Sequence, residues 1–268
     1  MHNFAFIIAG FGVGLIVGLT GVGGGSLMTP VLIFFFGMKP HLAVGTDLLF
    51  AAFTKLSGTV NLARRRMVPW RVVAQLCAGS IPAALASLWF LDRLGPDSAA
   101  AQHIMTTALG GALLLTAAAT FYKAVAFSRH TEPRRPEPAT IQEAAAATRA
   151  RHWSLPVLLG AVIGALVTFT SVGAGAIGVT VLLLIFPALP LPRIVAADIA
   201  YAVPLTFVAG LGHATLGAVN WPLLGLLLTG SLPGIWLGSR LVVRTHERVI
   251  RAGLSVLLVL AGAKLISI

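Results

Sequence analysis

Gly18-Leu19-Thr20-Gly21-Val22-Gly23-Gly24-Gly25-Ser26-Leu27-Met28-Thr29-Pro30 interrupts what is otherwise one apolar run from Phe4 to Met38. Each interior glycine costs a helix about 1 kcal/mol against alanine, and proline removes a backbone donor. Five glycines and a proline therefore argue against one continuous helix here. A second break, Thr168-Phe169-Thr170-Ser171-Val172-Gly173-Ala174-Gly175-Ala176, follows 150 residues after the first. The two breaks are expected to face each other and form a substrate site.

The surrounding sequence makes both breaks intramembrane features. Of 268 residues, 57% are hydrophobic and only 10% charged, against about 25% charged in a soluble domain. Runs at 4–20, 70–91, 104–122, 221–243 and 252–263 with its neighbours approach the ~20 residues that cross a bilayer. The fold class is all-α, a polytopic helical membrane protein. A net charge of +11 in a soluble chain would suggest nucleic acid. Here the cations sit in short loops, so they read as topology signals and no nucleic-acid partner is expected. The one cysteine, Cys77, excludes an intramolecular disulfide and reads as a packing residue. Met1-His2-Asn3-Phe4 lacks the basic start of a signal peptide, so the first segment is expected to be retained.

The chain resolves into segments 4–20, 26–37, 42–62, 70–91 and 102–127, then 153–169, 176–187, 194–215, 221–243 and 248–267, five and five. At an offset of 150, Thr20, Val22, Gly23, Gly25, Leu32 and Phe36 meet Thr170, Val172, Gly173, Gly175, Leu182 and Phe186. At 151, Asp47 meets Asp198, Trp70 meets Trp221, and Gly79-Ser80-Ile81-Pro82 meets Gly230-Ser231-Leu232-Pro233. Matched Asp, Trp and Gly-Ser-x-Pro in one register mark an internal repeat. The expected organisation is a first membrane repeat at 1–127, a polar linker at 128–152 and a second repeat at 153–268.

Loop charge gives the orientation. Arg64, Arg65, Arg66 and Arg71 place the 63–71 loop in the cytoplasm, whereas its counterpart, 217–220, is uncharged and falls outside. The 92–101 loop, with Asp92, Arg93 and Asp97, fits the outside; its counterpart, with Arg240, Arg244, Arg248 and Arg251, fits the inside. Equivalent loops on opposite sides mean inverted-topology repeats, with the linker cytoplasmic and both termini outside. Each repeat then begins with a glycine-broken hairpin, because residues 26–37 span only about 18 Å, short of a ~30 Å hydrocarbon core. Whether that short arm spans or re-enters stays open at this point.

Gly21-Val22-Gly23-Gly24-Gly25-Ser26-Leu27-Met28-Thr29-Pro30, followed by Ala43-Val44-Gly45-Thr46-Asp47, resembles the TauE/SafE sulfite exporter family of membrane transporters. The resemblance extends through the second break and the Asp198 segment, although Ala174 replaces the Gly24 column and Thr180 the Pro30 column. It implies transport of small sulfur-containing anions, such as sulfite or organosulfonates, across the cytoplasmic membrane.

The candidate substrate-binding residues are Thr20, Gly21, Gly23, Gly24, Gly25, Ser26 and Thr29 in the first break, with Thr170, Ser171, Gly173 and Gly175 in the second. A helix starting near Gly24–Ser26 points free N–H groups and its positive dipole end into the bend, and the hydroxyls add donors, which suits a small oxyanion. The competing reading is helix packing by small residues. Asp47 and Asp198 are candidates for coupling or gating, since intramembrane acids are costly and usually functional; the rival reading places both near a helix N-terminal turn as caps. Lys55 either neutralises a passing anion or, on the rival reading, snorkels to the interface or forms a structural ion pair. His213 and Asn61 read as interfacial, Gln75 as an interhelical hydrogen bond, and Trp70 and Trp221 as interfacial anchors.

No phosphate loop, HExxH, Cys/His cluster or nucleophile elbow occurs. The chain is thus expected to be a non-enzyme with no metal or cofactor. The expected function is secondary transport of a small anion by alternating access. An anion channel and a membrane scaffold or assembly factor are the alternatives. The bilayer is one partner, and a homodimer through an exposed small-residue face is another.

Overall fold

The computed structural model describes residues 2–20, 25–126, 154–187, 189–241 and 247–266. Among them every regular element is a helix: α1 (His2–Thr20), α2 (Gly25–Phe36), α3 (Pro40–Arg64), α4 (Trp70–Leu94), α5 (Ala99–Ala126), α6 (Ser154–Thr170), α7 (Ala176–Ile185), α8 (Leu191–Thr215), α9 (Trp221–Leu241) and α10 (Glu247–Ile266). The expected linker at 128–152 lies outside the described residues. The chain is an all-helical, multi-pass membrane protein.

Among the described residues, four helices are long and apolar enough to cross a bilayer: Trp70–Leu94, Ala99–Thr120, Leu191–Thr215 and Trp221–Gly238. The helices after the two breaks are short, 12 residues in α2 and 10 in α7, or about 18 and 15 Å. α3 has 25 residues, enough length to cross, but it carries Asp47 and Lys55 within it. Its polarity is turned inward. Thr46, Asp47, Thr54 and Lys55 are buried, whereas Phe53, Leu56 and Val60 are exposed. That polarity is the reverse of a soluble amphipathic helix, because lipid is the outer solvent.

Proline sets several helix starts, since its fixed φ and missing N–H suit the first turn. Pro40 opens α3, and α8 likewise carries proline at its start. Trp70 and Trp221 are the first residues of α4 and α9, and both are exposed, as interfacial anchors are.

Close helix contact depends on glycine in two extensive pairings, α1 with α9 and α4 with α6. A methyl group on Gly10 would strike the Leu227 carbonyl oxygen, and one on Gly160 the Leu76 carbonyl oxygen. Gly14 meets Ser231 as Gly164 meets Ser80, and Gly230 meets Ile7 as Gly79 meets Val157. Each contact in one pairing therefore has a counterpart 150 or 151 residues away in the other. Removing Cβ lets backbones approach, which matters where lipid tails compete equally for apolar surface.

α3 and α8 pack against each other, and α3 contributes to both apolar clusters. Val44 and Leu48 join α4, α6, α7 and α8, while Ala43, Leu49 and Phe50 join α1, α2, α5, α9 and α10. Asp47 thus lies on a helix that contributes to both clusters, as α5 also does through Met105 and Leu109. At one end of α3, Lys39 pairs with Asp97 at 2.8 Å, tying the connection after α2 to the turn before α5. That hydrogen bond, with the charges of His41 and Lys39, holds the Asp97 carboxyl below its ordinary range.

Candidate functional site

The first break is described only at its edges. Thr20 ends α1, and Gly25 and Ser26 open α2. Gly21, Gly23 and Gly24 lie outside the described residues. Thr29, one turn into α2, is fully buried and is the clearest contact of this segment. Its N–H donates to Asp47 Oδ2 at 3.2 Å, and its hydroxyl donates to the same oxygen.

The second break is described throughout as backbone, and its glycines have a specific conformational role. Gly173 and Gly175 have φ of 127° and 136°, a region that L side chains rarely adopt. Gly178 N–H then closes on Gly173 O at 3.1 Å, coiling the segment into a turn before α7. The Thr170 hydroxyl donates to Leu166 O at 2.7 Å and accepts from Val172 N–H at 3.0 Å, so it organises the turn itself. Ser171 is left-handed with φ of 57°. Its buried hydroxyl approaches the Asp47 carboxylate without completing a hydrogen bond; Asp47 Oδ1 and Ser171 Oγ have no partner among the described residues.

α3 reaches the second break at two levels. Ser171 lies beside Asp47, and Lys55 Nζ donates to Ala174 O at 3.3 Å. Eight residues separate Asp47 from Lys55 on one helix, about 12 Å along its axis. The Lys55 ammonium lies within the field of the Asp198 and Asp47 carboxylates. Asp198 itself sits against α7. A methyl on Gly178 would collide with Asp198 Oδ1 and lie 3.4 Å from the Tyr201 hydroxyl.

Three expectations need correction. Asp47 and Asp198 are not N-terminal caps: each is the eighth residue of its helix, two turns in. Asp47 instead accepts from the neighbouring helix α2. Lys55 does not snorkel to an interface, for it is 6% exposed and hydrogen-bonded inside the bundle. His213 is not interfacial either. It is completely buried, with Nε2 2.9 Å from Thr168 O, so it braces the end of α6. Gln75 is buried as an interhelical residue would be, yet its Oε1 has no partner among the described residues.

Sequence reasoning missed Tyr201 and Gly178. A signal was present in the columns where the two halves differ: Tyr201 stands where the first half has Phe50, Gly178 where it has Met28, and His213 where it has Leu62.

Together these residues make a desolvated centre with one ammonium, two carboxylates and backbone from the second break. Buried charge in a membrane is costly unless paired, and such clusters mark transport pathways. Among the described residues no group of His, Cys, Asp and Glu is placed to hold a metal ion.

Comparison with known proteins is in keeping with this architecture. The description "Sulfite exporter TauE/SafE" belongs to the family whose model matches residues 6–265. "Probable membrane transporter protein YjnA" of Bacillus subtilis (strain 168) is 34% identical over 264 residues, covering 98% of this chain and 100% of that protein. YdhB and YunE of the same organism, also named probable membrane transporter proteins, are each 25% identical; they cover 97% and 99% of this chain and 98% of their own lengths. No solved structure matches the chain. With the match running through both broken segments and nearly end to end, the chain belongs to the sulfite exporter TauE/SafE family of membrane transporters.

Proposed function

We propose that this protein is a secondary transporter of a small anion, sulfite or an organosulfonate, in the cytoplasmic membrane. It works by alternating access between two inverted repeats, residues 1–127 and 153–268, around the centre where the broken segments converge. The family description supports the substrate class. The observation that carries the reading is the convergence itself: Asp47 holds Thr29 beside the first break, while Ser171 and Ala174 of the second break meet Asp47 and Lys55 on the same helix.

Inverted repeats with interrupted helices at matching positions place substrate sites near the midplane in secondary transporters. The exchanged pairings, α1 with α9 and α6 with α4, support a pseudo-two-fold relation between the halves. The Lys39–Asp97 pair supports the outward loops of the first repeat sharing one side. The small anion binds near Thr20, Gly21, Gly23, Gly24, Gly25, Ser26 and Thr29 of the first break, and near Thr170, Ser171, Gly173 and Gly175 of the second. Asp47, Asp198 and Lys55 couple or gate its passage. A carboxylate beside an anion repels it, so the cation is the group that admits the substrate.

Uptake by proteoliposomes of sulfite, sulfate, thiosulfate and sulfoacetate tests this. Saturable uptake of one of them, competed by its analogues, is expected. Current that rises without saturation would make the protein a channel, and no movement of any anion would contradict transport altogether.

A further inference from the structure

The turns that follow α3 and α8 occupy matching columns, yet they meet their neighbours in different ways. Residues 66–69 and 217–220 stand 151 positions apart, and each turn reverses through a left-handed residue, Arg66 with φ of 55° and Gly217 with φ of 71°. Each is closed by a backbone bond to the end of its own helix, Met67 N–H to Leu62 O at 3.1 Å and Ala218 N–H to His213 O at 2.9 Å. There the match ends. The second turn is seated on α3: Asn220 N–H donates to the Thr46 hydroxyl at 3.0 Å, and a methyl on Gly45 would strike Ala218 O. Thr46 and Ala218 are fully buried at this seat. The columns of the first turn cannot build it. Ala197 stands for Thr46 and has no hydroxyl, Pro69 stands for Asn220 and has no N–H, and Ala196 carries the methyl that Gly45 lacks.

The seated turn lies between α3 and the second break. Thr46 immediately precedes Asp47, which holds Thr29 of α2. A methyl on Gly45 would also come within 3.0 Å of His213 Cβ, and His213 Nε2 lies 2.9 Å from Thr168 O near the end of α6. Val219 packs on the apolar cluster that includes Val172 of the second break. Asn220 Oδ1 accepts from Leu223 N–H at 3.1 Å, so the residue joined to Thr46 also fixes the start of α9.

We propose that the 217–220 turn is the outer gate of the transport pathway and that the Thr46–Asn220 hydrogen bond is its latch. The inference rests on the transporter reading and on the loop charges that assign this turn to the outside. Opening outward lifts Ala218 from Gly45 and breaks the bond, which exposes the second break to water. The 66–69 turn, its inner counterpart, has no such bond to break, so the two gates differ in strength and the latch biases the empty protein toward a closed outer side. Without the Thr46 hydroxyl, Asn220 N–H is buried and unpaired when the gate is shut but hydrated when it is open. That difference moves the equilibrium toward the outward-open state.

The test follows one thiol from both sides of the membrane. Ser171→Cys in a Cys77→Ser background of the full chain places it at the second break, and an impermeant thiol reagent is added to right-side-out and to inside-out vesicles. With Thr46→Val added, the thiol is expected to react about tenfold faster from the outside, the change in open fraction that one buried hydrogen bond supports, and more slowly from the inside. Asn220→Pro, the residue that the first turn carries in this column, removes the other end of the bond and is expected to shift labelling the same way. The double variant is expected to label no faster than either single one, because both remove one interaction. Thr46→Ser keeps the hydroxyl and is expected to label like the parent. Outside labelling that is absent or equal in the parent, Thr46→Val and Asn220→Pro proteins would overturn the proposal, as would labelling that rises from both sides together, the mark of a loosened fold. If Thr46→Val does not fold, Asn220→Pro decides alone. Uptake of sulfite and sulfoacetate by wild-type proteoliposomes separates the two levels: uptake with unmoved labelling defeats only the gate, whereas a wild type that moves neither anion defeats the transporter reading as well.

Discussion

At the scale of single residues, the polar centre divides into residues that make buried hydrogen bonds and residues that leave space. Thr29 belongs to the first kind. Its hydroxyl and N–H both serve Asp47 Oδ2, and removing a donor from a buried carboxylate costs about 2 kcal/mol. Thr29→Val should therefore lower the thermal unfolding midpoint in detergent. Gly178 belongs to the second kind, because its importance is the space it leaves for Asp198. Gly178→Ala should keep the protein folded but cut anion flux about tenfold, the effect of about 1–2 kcal/mol of overpacking. Flux equal to wild type would show that the Asp198 pocket tolerates a methyl and is not a working part.

At the scale of elements, the glycines of α1, α4, α6 and α9 are packing devices, distinct from those of the breaks. Gly79 and Gly230 each face a backbone carbonyl on the partner helix, whereas Gly12 on α1 faces open space. Gly79→Leu and Gly230→Leu should each collapse the yield of monodisperse protein by size-exclusion chromatography, and Gly12→Ala should leave it unchanged. These elements were largely legible in the sequence for a local reason. Gly, Pro and apolar run length act within a few residues, so the ten segments emerge within a few positions of the described helix ends. The contacts of Lys55 and His213 were not legible, because each depends on a partner far away in sequence, Ala174 for Lys55 and Thr168 for His213. Asp47 and Asp198 misled for a related reason: position near a helix start suggests a cap, but the donors that Asp47 uses belong to another helix. The sequence reached the second glycine bend and the positions of the two acids; Tyr201 and Gly178, which it missed, lay in the mismatches between the halves.

At the scale of the whole molecule, inverted repeats would place equivalent surfaces on opposite sides of the membrane. Arg64 and Thr215 occupy equivalent positions 151 residues apart, at the ends of α3 and α8. In a Cys77→Ser background, Arg64→Cys should react with an impermeant thiol reagent only from the cytoplasmic side, and Thr215→Cys only from the outside. Labelling of both from one side would make the repeats parallel and remove the basis for alternating access. The central claim is that a small anion crosses through the centre where the two broken segments meet. Its most direct test is uptake of radiolabelled sulfite and sulfoacetate into proteoliposomes by the wild type and by two variants, Gly24→Leu in the first break and Gly173→Leu in the second. We predict saturable uptake by the wild type and loss of it in both variants, with each still folded in the membrane; wild-type flux through either variant would contradict the assignment of that break to the pathway.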